Sequence, residues 1–214
     1  MADHLDDIER VEQIKNWLSK YAAPIIIGVI LGLAVIYGLQ FWQQKQLKQN
    51  TKAAELFQQV SQVWVNGSDA QKESLASQLV TQFPKTVYAD FANLGLAELA
   101  VNQQDYAKAA SYLDSVVHQG RDPGLREIAK IRLARVLAAE GKIKDGLDLL
   151  AGDTSQSFAV LVKATQGDLY LMQHNNKAAS QAYQQALAAN PEASQLLPLI
   201  PYQLQQLHTT GEKA

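Results

Sequence analysis

Residues 21–39, YAAPIIIGVILGLAVIYGL, carry no charged side chain, while the chain beyond them has ordinary soluble character. A helix over this stretch rises ~1.5 Å per residue and reaches roughly 28 Å, close to the ~30 Å hydrocarbon thickness of a bilayer. A cleaved signal peptide would have a shorter apolar core followed by small residues at a cleavage site. Here Phe41 and Trp42 follow, amphipathic aromatics suited to the headgroup level, and Tyr21 stands at the other end. The stretch predicts an uncleaved single-pass signal anchor over residues 21–42, behind a short tail over 1–20.

Charge does not orient this span. Arg10, Lys15 and Lys20 precede it and Lys45, Lys48 and Lys52 follow it, so the positive charges near its ends are tied. The shortness of the leading segment leans towards a cytoplasmic amino terminus, because a long following domain crosses largely regardless of charge. Within the span, Gly28 and Gly32 form a Gly-x-x-x-Gly pair, and Ala34 and Gly38 repeat the spacing. Four-residue spacing sets small residues on one helix face, where a partner helix can approach closely. Glycine is also simply frequent in membrane helices. Docking of a second helix, and self-association of the anchor, stay open.

The net charge of −2 and the absence of a basic block argue against nucleic acid as the main ligand. With no cysteine, disulfides and cysteine-based metal sites or nucleophiles are excluded. Alanine, leucine and glutamine dominate, and no Asn-Gly or Asp-Gly turn joins alternating segments, so the remainder is expected to be all-α. In the tail, Leu5, Ile8, Val11, Ile14 and Leu18 recur at helical spacing among acidic residues, either as a partner-binding helix or as a solvated lead-in. Breakers divide the rest. Ser68 and Gln71 form a capping box after Asn66-Gly67, Phe83-Pro84 closes the helix so begun, and Asp122 caps one that starts at Pro123. Gly141 separates two helical patterns, residues 152–157 read as a loop, and Asn190-Pro191 stops the last regular pair. Short helices on short connections predict a series of helical hairpins.

The hairpins repeat. LGLAELAVNQQDYAKAASYL from Leu94 aligns with IRLARVLAAEGKIKDGLDLL from Ile131, pairing Leu96 with Leu133, Ala97 with Ala134, Tyr106 with Ile143, Ala109 with Gly146 and Leu113 with Leu150. A third copy from Gln166 sets Gly167, Ala179, Tyr183, Ala186 and Pro191 at the same phases. The spacing is 37 residues from Ala97 to Ala134 and 33 from Ala134 to Gly167, bracketing the 34-residue tetratricopeptide unit that these copies resemble. Small residues on the first helix (Ala97, Ala134, Gly167) are expected to meet small residues on the second (Ala109, Gly146, Ala179). Residues 51–86 read as a degenerate opening hairpin. Leu196, Leu197, Leu199, Ile200, Leu204 and Leu207, interrupted by Pro198 and Pro201, read as a closing cap or else a docking face. The repeat domain is taken as residues 43–208, with a frayed end over 209–214.

No catalytic constellation is present in the sequence. His4, His118, His174 and His208 fall in different elements without a His-Glu-x-x-His pair, and no phosphate loop, dinucleotide fingerprint or nucleophile elbow occurs. The expectation is a non-enzymatic protein without cofactor or metal. Tetratricopeptide arrays bind extended peptides or helices along the surface lined by the first helix of each hairpin. On the repeat phase, Glu98, Arg135 and Asp168 occupy equivalent positions there, with Val101, Ala138 and Leu171 three residues on. The alternating signs suit an unfolded segment or a partner's helix better than one acidic tail.

The whole chain resembles the YfgM family of ancillary Sec-translocon subunits. The matching features are Asp7-Ile8-Glu9-Arg10-Val11-Glu12-Gln13-Ile14-Lys15, the GVILGLAVIYGLQFW anchor, and Arg132-Leu133-Ala134-Arg135-Val136. The resemblance implies a bacterial inner-membrane protein with its carboxy-terminal domain in the periplasm. It further implies association with the Sec translocon channel and with a membrane-anchored periplasmic prolyl-isomerase chaperone, in the service of newly translocated polypeptides. The competing expectation is a scaffold for another envelope assembly, such as cell division or outer-membrane insertion, that handles no clients.

Overall fold

Polar side-chain caps set where five of the short helices of this chain begin. In the computed structural model the backbone is described for residues 3–152, 155–190 and 199–211, and side chains are described for these except residues 3–14, 16–26, 29 and 208–211. Helix α1 (Asp3–Asn66) is followed by α2 (Asp69–Gln82), α3 (Val87–Asn102), α4 (Tyr106–Gln119), α5 (Pro123–Ala139) and α6 (Ile143–Leu150). A 3-10 turn (Gln156–Phe158) then leads into α7 (Ala159–Met172), α8 (Asn176–Ala189) and α9 (Leu199–Gly211). Among the described residues there is no strand. The chain divides into two compact units, Met1–Thr51 and Lys52–Ala214.

The first unit consists, where described, of α1. Its described side chains between Ile27 and Thr51 are open to solvent, Gln46 less so, with Leu31 61% and Phe41 72% exposed, and a Cβ added at Gly28, Gly32 or Gly38 would meet nothing within 4 Å. Ala34 is likewise exposed. Among the described residues no helix is long and apolar enough to cross a membrane. The side chains of residues 21–26 and 29, which belong to the expected span, and those of most of the tail lie outside the described residues.

In the second unit the expected caps are in place. Ser68 and Gln71 close a reciprocal capping box, with the Ser68 amide donating to Gln71 Oε1 at 3.0 Å, and Asp122 Oδ1 accepts from the Leu125 amide at 2.8 Å with Pro123 at the first helical position. Thr86, Asp105 and Asn175 cap α3, α4 and α8 in the same way. Two expectations change. The region 152–157 is only partly a loop, because Gln156–Phe158 winds into a 3-10 turn; residues 153–154 lie outside the described ones. Helical backbone continues past 208 to Gly211, and Pro201 sits in the first turn of α9, where its missing N–H costs no intrahelical bond.

The repeat is written into the backbone of the turns. Gln104 and His174 have φ of 59°, and Gly141 has φ of 84°, at the 37- and 33-residue spacings of the sequence. Each is the left-handed residue of a Schellman motif. The amides of Asp105, Lys142 and Asn175 reach back to the carbonyls of Ala100, Leu137 and Tyr170 at 2.9, 2.8 and 2.9 Å. The hairpins α3–α4, α5–α6 and α7–α8 thus turn by one geometry, whether or not glycine supplies it.

Small residues let the helices of each hairpin approach. Ala97, Ala134, Ala109 and Ala179 are all at most 2% exposed. A Cβ on Gly146 would lie 2.6 Å from the Ala134 carbonyl oxygen, as expected of a small pair, whereas one on Gly167 would lie 2.5 Å from Tyr183 Cε1, so the tyrosine ring and not the expected Ala179 fills the space that this glycine leaves. Four apolar clusters follow, each joining one hairpin to the first helix after it. Ala53, Val60, Ala76, Leu79, Ala92 and Leu96 join the end of α1 and α2 to α3. Leu94, Leu113 and Leu133 join α3 and α4 to α5; Ile131, Leu150 and Leu169 join α5 and α6 to α7; Ala164, Tyr183 and Ile200 join α7 and α8 to α9. Full burial of each leucine contributes about 1.5–3 kcal/mol. The last cluster makes α9 the lid of the array, with Leu199 and Tyr202 facing outward; Leu196, Leu197 and Pro198 lie outside the described residues. Residues 51–86 do form an opening hairpin, and Trp64 of α1 lies over Gly95 of α3, 2.6 Å from where a Cβ would stand.

Asp90, 4% exposed, ties the base of α3 to the α4–α5 connection by accepting from the Arg121 amide at 2.7 Å, and desolvation raises its pKa above the ordinary carboxylate value.

Two glycines separate backbone strain from steric exclusion. Gly141→Ala adds a methyl group to open space but forces a left-handed alanine, at about 1–2 kcal/mol. Gly167→Ala drives a methyl group into the buried Tyr183 ring, at about 1–3 kcal/mol. Both should lower the urea midpoint, whereas His174→Gly at the turn position equivalent to Gly141 should leave it equal or higher. Neutral behaviour of both glycine variants would contradict this packing.

Candidate functional site

The first helices of successive hairpins, α3, α5 and α7, are neighbours in one layer. Their outward faces repeat at the same spacing as the turns. Glu98, Arg135 and Asp168 form one row, as the sequence phase requires, and Phe91, Ile128 and Leu161 form another two turns earlier. Phe91 and Leu161 are 44% and 38% exposed. This second row escaped sequence reasoning, although it lies seven residues before the first and therefore on the same helix face.

A cavity of about 420 Å³ opens between α3 and α5. Leu94, Ala97, Leu113 and Val136 make its apolar floor, and Glu98, Val101, Arg132 and Arg135 its rim. Glu98, Val101 and Arg135 therefore come together as the repeat phase predicts. Ala138 does not reach the cavity. It is 3% exposed and packs with Ile131 and Ala134 in the core, because the close approach of α5 to its neighbours consumes that face. Leu171 is half-buried against the cluster that contains Tyr183 and Ile200, so it also serves packing. Arg132, one turn before Arg135, was not anticipated; its i, i+3 relation to Arg135 is the signal that would have found it.

The charged row is joined across α5 and α7. Arg135 Nη2 donates to Thr165 Oγ1 at 2.9 Å and lies 3.8 Å from Asp168 Oδ2. Asp168 Oδ1 in turn accepts from the Tyr183 hydroxyl at 2.8 Å. Thr165 and Tyr183 are both fully buried, so a half-exposed guanidinium is held directly by one polar group of the core, Thr165, and through Asp168 by another, Tyr183. Burial first, and the Asp168 hydrogen bond second, push the Tyr183 phenol far above its ordinary range. Among the described residues Glu98 and Arg132 have no hydrogen-bond or ion-pair partner, although both line the same cavity. That arrangement can hold an extended or helical polypeptide by side-chain insertion and charge pairing. Among the described residues there is no group of three metal-ligating side chains.

The Tyr183–Asp168 bond carries a pH signature. A phenol whose folded pKa is raised stabilises the fold below its unfolded value near 10, and this contribution is lost as pH rises above that value. Tyr183→Phe removes one hydrogen bond, at about 1 kcal/mol near neutrality. Thermal unfolding from pH 7 to 11 should therefore show the wild type losing stability above pH 10 more steeply than Tyr183→Phe. Parallel curves would contradict the assignment.

The chain matches the family described as tetratricopeptide repeat-like domain over residues 15–209. Three curated relatives share the printed name ancillary SecYEG translocon subunit. That of Haemophilus influenzae is 27% identical over 91% of this chain and 95% of its own length. The Aggregatibacter actinomycetemcomitans protein is 26% identical over 87% of this chain and 91% of its own length. The Escherichia coli protein is 24% identical over 89% and 93%. With the family matched along almost the whole chain and these relatives end to end, the protein belongs to the tetratricopeptide repeat-like domain family and, within it, to the YfgM family that its sequence resembles.

Proposed function

We propose that this protein is a non-enzymatic ancillary subunit of the Sec translocon that works by binding other proteins. The observation that carries the reading is the joining, in one chain, of an uncharged stretch long enough to span a bilayer with a hairpin array whose first helices line an open, partly charged groove. The shared name of the relatives, each aligned over about nine-tenths of both chains, supports the translocon as the place of action.

In this account residues 21–42 anchor the protein in the bacterial inner membrane, with residues 1–20 in the cytoplasm and the repeat domain, residues 43–208, in the periplasm. The small residues Gly28, Gly32, Ala34 and Gly38 would let the anchor lie against a helix of the channel. The groove would engage a membrane-anchored periplasmic prolyl-isomerase chaperone or the newly translocated polypeptide itself, linking the channel to folding factors.

In-cell photocrosslinking from probes at Leu31 in the anchor and Glu98 in the groove tests both contacts. The account predicts adducts of the first with channel subunits and of the second with periplasmic chaperones or exported chains. Adducts confined to another envelope complex would replace it with a scaffold function. Gly28→Leu combined with Gly32→Leu should weaken co-purification with the channel, and unchanged recovery would remove lateral docking through that face.

A further inference from the structure

The cavity between α3 and α5 has a chemistry more specific than a general peptide groove. Its floor is apolar and its volume, about 420 Å³, accommodates one branched or aromatic side chain. Two guanidinium groups and one carboxylate stand on its rim, and they are not equivalent. Arg135 is engaged by Thr165 and lies near Asp168, while Arg132 is exposed and, among the described residues, unpartnered. Glu98 is likewise unpartnered among the described residues, but two guanidinium groups against one carboxylate leave the rim net positive, and a guanidinium's planar fork of donors matches a carboxylate beside the inserted side chain. Glu98, the remaining rim group, offers oxygen acceptors for a peptide N–H of a segment crossing the groove.

We propose that this cavity reads a two-residue feature in a partner polypeptide: a leucine-sized apolar side chain that enters the pocket, followed by an acidic residue whose carboxylate pairs with Arg132. The Thr165 and Asp168 contacts fix the second guanidinium, Arg135, in place on the rim and leave Arg132 as the guanidinium without a partner among the described residues. The proposal rests on the reading of this groove as a polypeptide site and adds the side-chain class that it selects.

The test uses the full chain in detergent micelles and four fluorescein-labelled peptides with a common Gly-Ser background and central Leu-Asp, Leu-Asn, Leu-Lys or Ser-Asp, followed by anisotropy. Leu-Asp should bind about fivefold more tightly than Leu-Asn, the scale of an exposed ion pair, and Leu-Lys and Ser-Asp more weakly still. Arg132→Glu should reverse the order of Leu-Asp and Leu-Lys, a change that mere structural damage would not produce, and Arg132→Gln should abolish the difference between Leu-Asp and Leu-Asn. Val101→Trp, which fills the cavity from its edge, should weaken every leucine peptide. Binding that ignores the flanking charge, or Leu-Asp binding unaffected by Val101→Trp, overturns the proposal while leaving a polypeptide groove in place. Failure of all four peptides together with failure to bind a reduced, unfolded client overturns both. Peptide-independent self-association blocked by Val101→Trp would make a second copy of this chain the occupant and also overturn the proposal.

Discussion

The close approach of two antiparallel helices at small residues is the contact on which the rest of this structure depends. Where Gly146 faces the Ala134 carbonyl and Gly167 faces the Tyr183 ring, there is no room for another carbon. That approach lets each leucine of the second helix reach under the first helix of the next hairpin, so the core forms in overlapping clusters that pass from one repeat to another. The turns keep the approach in register. Three Schellman motifs at the repeat spacing return the chain by the same hydrogen-bond pattern, and in two of them the structure holds a non-glycine residue, Gln104 or His174, in the left-handed region to do so.

The groove is a by-product of this stacking. With the inner faces of α3, α5 and α7 consumed by packing, what remains outward is a row of alternating charge and a row of apolar side chains at one helical phase. The charge alternation has opposite consequences at its two ends. Between α5 and α7 the polar groups satisfy one another through Arg135, Thr165, Asp168 and Tyr183, which rigidifies that wall. Between α3 and α5 Glu98 and Arg132 are, among the described residues, left unpaired above an apolar floor, and the proposed binding role rests on that contrast.

Much of this was legible in the residues because it rests on local chemistry. Ser68 with Gln71 and Asp122 with Pro123 announce helix starts by side-chain reach, and the alanines and glycines at repeat spacing announce close packing. The groove row Glu98, Arg135 and Asp168 followed from the same phase. What escaped depends on contacts between distant elements. Nothing local marks Gln104 or His174 as left-handed, since only Gly141 carries the residue that such a φ favours. Ala138 and Leu171 share the groove phase with Val101, but Ala138 is buried and Leu171 half-buried, because the neighbours of α5 and α7 close over them. Arg132 was passed over because its equivalents, Gly95 and the buried Thr165, have different chemistry, so repetition concealed the one position that breaks it. The uncharged stretch over residues 21–39, by contrast, stands out from composition alone.

The most direct test of a groove built by stacked first helices is hydrogen-exchange mass spectrometry on the full chain, free and in its detergent-solubilised complex with translocon components. The account predicts added protection on complex formation in peptides covering residues 91–101 of α3 and 128–138 of α5, with α4 and α6 unchanged. Protection concentrated in α4 and α6, with α3 and α5 unaltered, would place the partner on the opposite face of the array and contradict it.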